Sequence, residues 1–230
     1  MDYQETVRRM HSGKLYDCNQ PQLQKEQLER LDMLFAYNQL PPSRQEEKTA
    51  LLREMLAEFG EGSYIETPFH ANWGGKFVHV GRHVYANFNL TLVDDTEIDI
   101  GSYTEIGPNV TICTGTHPIH PPLRRRITQY NLPVKIGENV WIGAGSVILP
   151  GVFIGGNSVI GAGSVVVGNI PPNVVAVGNP CRVLREIGER DREYYHRGMR
   201  IDPAVWGDFS PPPPPVEGSG EEPAEEDFKQ

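Results

Sequence analysis

Residues Pro133–Val166 read PVKIGENVWIGAGSVILPGVFIGGNSVIGAGSVV, and an aliphatic side chain returns at every sixth position: Ile136, Ile142, Ile148, Ile154, Ile160 and Val166. Six is a multiple of the two-residue strand repeat and not of the 3.6-residue helical one, so these residues share one face of extended structure and cannot line a helix. Three positions after each of the first five stands Asn or Gly: Asn139, Gly145, Gly151, Asn157 and Gly163. Both types enter the left-handed backbone region at low cost, so each hexad reads as a short strand followed by a sharp corner. The next residues, Val140, Ser146, Val152, Ser158 and Ser164, are modest in size, as a bend filled from inside requires. Three hexads close one triangular coil, with Ile136 stacked under Ile154 and Ile142 under Ile160 at the spacing of about 4.8 Å between paired strands. A repeat of six is a β-helix signature, whereas sandwich strands recur every 8–12 residues or so.

The 230 residues suffice for one sizeable domain with small additions. Cys18, Cys113 and Cys181 are far apart, odd in number and in no CxxC pair, which argues for a reducing compartment and against a disulfide frame or cysteine-based metal site. The N-terminal MDYQETVRRMHSGK has no apolar core of signal-peptide length and no run approaches a membrane span, so a soluble cytoplasmic protein is expected. A net charge of −9 argues against nucleic acid as a partner. Much of that charge lies in PPPPPVEGSGEEPAEEDFKQ, so residues 205–230 read as a disordered Pro-rich acidic tail.

Residues 1–60 are helical in pattern. Leu28, Leu31, Leu34 and Phe35, then Leu51, Leu52, Met55, Leu56 and Phe59, fall at helical spacing on either side of Pro41-Pro42, with Ser43 a candidate N-cap and Gly60 a candidate C-cap. The exposed end of a solenoid supplies the apolar surface such helices must cover. The coil region spans 61–182, starting less regularly at Phe69 and shifting by two residues at Asp94-Asp95, where an insertion pushes a turn outward. From Cys113 to Pro133 the period stops and Ile136 resumes it, which a polar, Pro-rich loop leaving the coil and returning in register explains as well as a heavily disguised repeat. Residues 183–204 have helical spacing and would form a C-terminal helix.

Loops thrust from a rigid scaffold commonly carry chemistry, and this one holds His117 in TGTHPIH. Histidine suits a base near neutral pH, its unperturbed pKa of about 6.5 allowing both charge states. A zinc site joining His79, His83, His117 and His120 is the competing reading, but residues four apart on an extended coil fall on different sides of a corner.

The motifs GKLYD, YANFNLTLVDD, GPNVTI, TGTHPIH, IGENVWIGAGSVILPGV, VIGAGSVV and IPPNVVAVGNPCRVLREI closely resemble the maltose and galactoside O-acetyltransferases of the hexapeptide-repeat acyltransferase superfamily, from about residue 3 to 200. That resemblance implies a left-handed parallel β-helix, an exception to the usual right-handed crossover, assembled as a homotrimer with active sites between subunits. It implies acetyl transfer from acetyl-CoA, as co-substrate and without a metal, to a hydroxyl of a sugar of the maltose, glucose or galactoside type.

By the same resemblance His117 matches the catalytic histidine, and Asn87 an asparagine that orients the reacting groups. Asp17, Tyr85 and Asp95 match acceptor-binding positions; Asn72 falls near another, in a segment one residue longer. Trp141 would lie along the pantetheine arm, with backbone contacts from Ala144, standing where a relative has serine, and from Ala162. One well-placed oxyanion donor is worth about 3 kcal/mol. Arg182 and Arg185 would meet the CoA phosphates. Val167 and Gly168 occupy cofactor-binding positions where the resembled enzymes have Thr-Lys, so one cationic handle is missing, and Arg124–Arg126 offer charge in its place. A binding or scaffold protein on the same fold, and an O-acetyltransferase of a non-sugar hydroxyl compound, are the alternatives.

Overall fold

The computed structural model describes residues 1–206, and residues 207–230, which hold most of the expected tail, lie outside them. Helices α1 (Tyr3–Met10), α2 (Pro21–Gln39) and α3 (Gln45–Met55) precede a left-handed parallel β-helix whose short strands stack into three sheets of five, five and seven strands. Among the described residues, no helix is long and apolar enough to cross a membrane.

Each sheet is one face of a prism. On the first face Val80, Ile100, Ile136 and Ile154 stand in register; on the second, Ile65, Ala86, Ile106, Ile142, Ile160 and Ala176; on the third, Ala71, Leu92, Ile112, Ile148 and Val166. The expected stacking of Ile136 on Ile154 and Ile142 on Ile160 is present. These side chains point inward and form one core. Inward and outward residues alternate, which is why a period of six reads as a buried stripe.

All five expected corner residues have positive φ, from 55° at Asn139 to 81° at Gly151. Where the corner is Asn, its amide adds a second row of hydrogen bonds along the prism: Asn139 donates to Asn157 at 3.1 Å and Asn157 to Asn173 at 2.9 Å. The small residues that follow fill the bends. Ser146 and Ser164 are fully buried, and their hydroxyls donate to the carbonyls of Gly143 and Gly161.

The repeat starts two strands earlier than Phe69, because Glu58–Phe59 already pairs with His79–Val80 and Tyr64–Ile65 with Tyr85–Ala86. Three successive coils are enlarged at the corner between the third and first faces: after Ala71, after Leu92 and after Ile112. The acidic pair at the second enlargement does not simply push outward. Asp94, Asp95 and Thr96 are buried, and the Asp94 carboxylate accepts the backbone N–H groups of Trp73 and Gly75 at 2.7 and 2.9 Å, tying one enlarged corner to the one below.

The N-terminal helices α2 and α3 pack residues into the coil's core. Leu34, Tyr37, Leu52, Met55 and Leu56 join the main core, while Leu28 and Phe35 remain exposed. Helix α3 starts after Arg44, not Ser43, and ends at Met55, well before Gly60. Met10, Tyr16, Leu23 and Trp73 make a separate small core.

Residues 183–204 are not one helix. Arg182–Glu186 is a strand on the edge of the second face. A second compact unit from Glu186 onward holds α5 (Glu189–Glu193), an antiparallel pair Tyr194–Tyr195 with Met199–Arg200, and a 3-10 turn at Pro203–Trp206.

Candidate active site

The third enlarged corner extrudes an arm that leaves and re-enters in register. Gly115–Thr116 runs antiparallel to Tyr130–Asn131, and Tyr16–Asp17 pairs antiparallel with Thr128–Gln129, so the N-terminal segment is stitched to the arm as a third strand. Between the arm's strands lies α4 (Pro121–Arg125), started by two prolines that need no N–H partner in a first turn. After Asn131, Val134 pairs with Ile98 and the coil continues.

His117 is placed at the end of the outgoing strand. Its Nδ1 lies 2.9 Å from the carbonyl oxygen of Thr128 on the returning one. A carbonyl only accepts, so Nδ1 carries the proton and the neutral ring keeps its lone pair on Nε2.

The same side chain lines a cavity of about 530 Å³ with Asn72, Asp95, Gly115, Gln129 and the third-face residues His70 and Thr91. A second cavity of about 250 Å³ lies under α1 and α2, lined by Tyr16, Asn19, Leu23, Gln27 and Trp73, and it shares Asn72, Asp95 and Gln129 as wall. Asp95 Oδ1 accepts from Asn72 Nδ2 at 2.8 Å and from the Trp73 indole N–H at 3.1 Å. Burial pushes the Asp95 carboxyl above its ordinary pKa, while hydrogen bonds from Trp73, Asn72 and Gln129 pull the other way. Asp94, more deeply buried, is pushed up to about 7.

Asp95, Asn72 and His117 are therefore gathered at one edge of the prism. Asp17 is beside them, paired with Thr128 across the small sheet, but its carboxylate caps the turn at Asn19 and lines neither cavity.

The remaining expected site residues stand elsewhere in the chain's own fold. Tyr85 and Trp141 point outward from the same column of the second face, two coils apart, with Glu105 between them. Asn87, Ala144 and Ala162 occupy the corner that follows that face. A Cβ at Gly143 would lie 2.5 Å from the Ala162 nitrogen, and one at Gly107 would lie 2.7 Å from the Ala144 nitrogen, so only glycine lets the coils close there. Asn87 turns its oxygen to the Phe88 N–H at 2.8 Å, Tyr85 stacks on Tyr64 near Glu66, and the Trp141 indole is 56% exposed. Val167 is exposed and Gly168 borders open space. Arg182 donates to the Cys181 carbonyl at 2.8 Å, and Arg185 lies on the same strand.

The four histidines weighed for zinc do not converge: His79 pairs with Glu97 at 2.8 Å, His83 stacks on Tyr103, and His117 and His120 belong to the arm. Among the described residues, no group of three or more His, Cys, Asp or Glu is arranged to hold a metal.

Gln129, Asn131 and Tyr16 escaped the reading of the sequence. The alternation in Thr128–Asn131 was a signal for a strand, with Gln129 and Asn131 on its buried side.

The chain matches the maltose acetyltransferase hexapeptide capping motif over residues 9–60 and the six-repeat bacterial transferase hexapeptide over residues 133–168. It is 53% identical to the galactoside O-acetyltransferase of Lactococcus lactis over 86% of this chain and 96% of that protein. The chain belongs to the galactoside and maltose O-acetyltransferase family. As a member it is an O-acetyltransferase of the hexapeptide-repeat class. The Escherichia coli galactoside O-acetyltransferase is 45% identical over 86% of this chain and 97% of its own length. A solved galactoside acetyltransferase in complex with coenzyme A superposes with a TM-score of 0.83 at 44% identity, covering 88% of this chain and 99% of the other.

Proposed function

We propose that the protein moves acetyl from acetyl-CoA to a hydroxyl of a sugar of the maltose, glucose or galactoside type, by direct attack in a ternary complex. The observation that carries this reading is the His117–Thr128 contact, which leaves the lone pair on Nε2 of an imidazole in the wall of a cavity lined by both polar and apolar side chains. The acceptor hydroxyl gives its proton to Nε2 as its oxygen attacks the thioester carbonyl. The tetrahedral intermediate then collapses, the C–S bond breaks, and the thiolate takes the proton from the imidazolium. The Ala144 N–H serves the transient oxyanion; the Ala144 carbonyl is already taken by Gly163 N–H at 2.8 Å. Asp95 and Asn72 suit the hydroxyls of the acceptor.

In one protomer His117 and Asp95 occupy a different edge from Asn87, Tyr85, Trp141 and Ala144. A homotrimer resolves this, because three-fold association of prisms sets the arm edge of one copy against the second face of the next. The exposed Tyr85 and Trp141 on that face, with Phe88 and Tyr103 at the corners beside it, give it an apolar character suited to such contact. Arg182 and Arg185 then meet the CoA phosphates, with Arg124–Arg126 of the arm as further positive charge.

Thiol release from acetyl-CoA in the presence of simple glucosides and galactosides tests the proposal. Release is expected with at least one sugar and is expected to vanish in His117→Ala. Undiminished release in that variant overturns the assignment of the base.

A further inference from the structure

We propose that Gln129 is a specificity-determining residue of the acceptor site, reading a sugar hydroxyl through its side-chain oxygen; this rests on the acetyltransferase reading above. The orientation of the amide follows from its surroundings. Asn131 Nδ2 lies 2.9 Å from the Met10 carbonyl and 3.1 Å from the Asp95 main-chain carbonyl, both of which only accept. The Asn131 oxygen is thereby turned to Gln129, whose Nε2 donates to it at 2.8 Å. Nε2 therefore faces Asn131, and the Gln129 oxygen is turned the other way. The donor end of the amide is held on a fixed, buried partner.

Its oxygen is the polar atom left to a ligand, and Gln129 is a wall residue of both cavities. Asp95 beside it is likewise an acceptor. Gly115 leaves room for the pair: a Cβ there would overlap Asp95 Oδ2 and lie 2.9 Å from Gln129 Nε2. Two acceptors side by side favour a ligand with adjacent donors, and neighbouring hydroxyls on a pyranose ring are such donors. A site built to bind a hydroxyl rejects the analogue that lacks it, because a buried acceptor is then left unpaired.

The test compares kcat/KM for methyl glucoside and methyl galactoside with that for their single-deoxy analogues, in the parent protein and in Gln129→Met. The parent is expected to discriminate against one deoxy analogue by about tenfold, the worth of one neutral hydrogen bond. Gln129→Met is expected to treat that analogue and the full sugar alike, with KM for acetyl-CoA unchanged. If Gln129→Met does not fold, Gln129→Asn, which withdraws the oxygen by one methylene, is read by the same ratio. Discrimination that survives the substitution overturns the role of Gln129 and leaves the acetyltransferase reading standing. A parent protein that acetylates none of the sugars overturns both.

Discussion

The Nδ1 atom of His117 lies 2.9 Å from the main-chain oxygen of Thr128, eleven positions further along the same arm. A backbone carbonyl, which no side-chain substitution removes, thus holds the ring's tautomer. His117→Ala is expected to lower kcat by about 10²–10⁴, the range for a general base, with little effect on thermal stability since the side chain is exposed. Comparing turnover with the melting temperature of the same sample checks both halves.

If sites form between copies, two dead variants should rescue each other. His117→Ala and Asn87→Ala, each weak alone, are expected to regain activity when denatured together and refolded as mixed oligomers. A mixture no more active than its components would rule out a shared site.

Gly143 and Gly145 should differ sharply although two positions apart. An added Cβ at Gly143 meets the backbone of Ala162, so Gly143→Ala must separate two coils, and loss of folded protein is expected. At Gly145 the φ of 70° faces open space, and alanine there costs about 1–2 kcal/mol of backbone strain. Urea denaturation of the pair decides whether close stacking or conformation dominates.

Ile142 lies between Ile106 and Ile160 on the second face and is fully buried. Ile142→Ala is expected to destabilise by about 2–5 kcal/mol, since a stacked coil is poorly placed to collapse onto the hole. A change in the denaturation midpoint too small for that range would mean the stack relaxes.

Burial raises Asp94 to about 7 from its ordinary value of 3.8. The folded state thus holds this proton more tightly than the unfolded one. The associated stability is fully present below about pH 3.8 and is lost as pH rises through about 7. The melting temperature of the parent should therefore fall relative to that of Asp94→Asn across this interval. Curves that stay parallel would contradict a protonated Asp94.

The coil, its corners and the departure of the arm were legible from the residues alone. Alternation of buried and exposed side chains and the left-handed tolerance of Asn and Gly are local properties, and a period of six repeats them often enough to be decisive. His117 stood out because an interruption in a regular pattern marks a loop. Tertiary structure alone decided the rest. Asp94 and Asp95 read as an outward turn but are buried against Trp73, more than twenty positions away. Leu28 and Phe35 read as core but are exposed, because only part of the α2 surface meets the coil end. Asn131 is fixed by Met10 and Asp95, partners as far as 121 positions distant, and in turn fixes Gln129. Hydrogen bonds between residues that far apart depend on how the chain returns on itself, which composition and spacing do not encode.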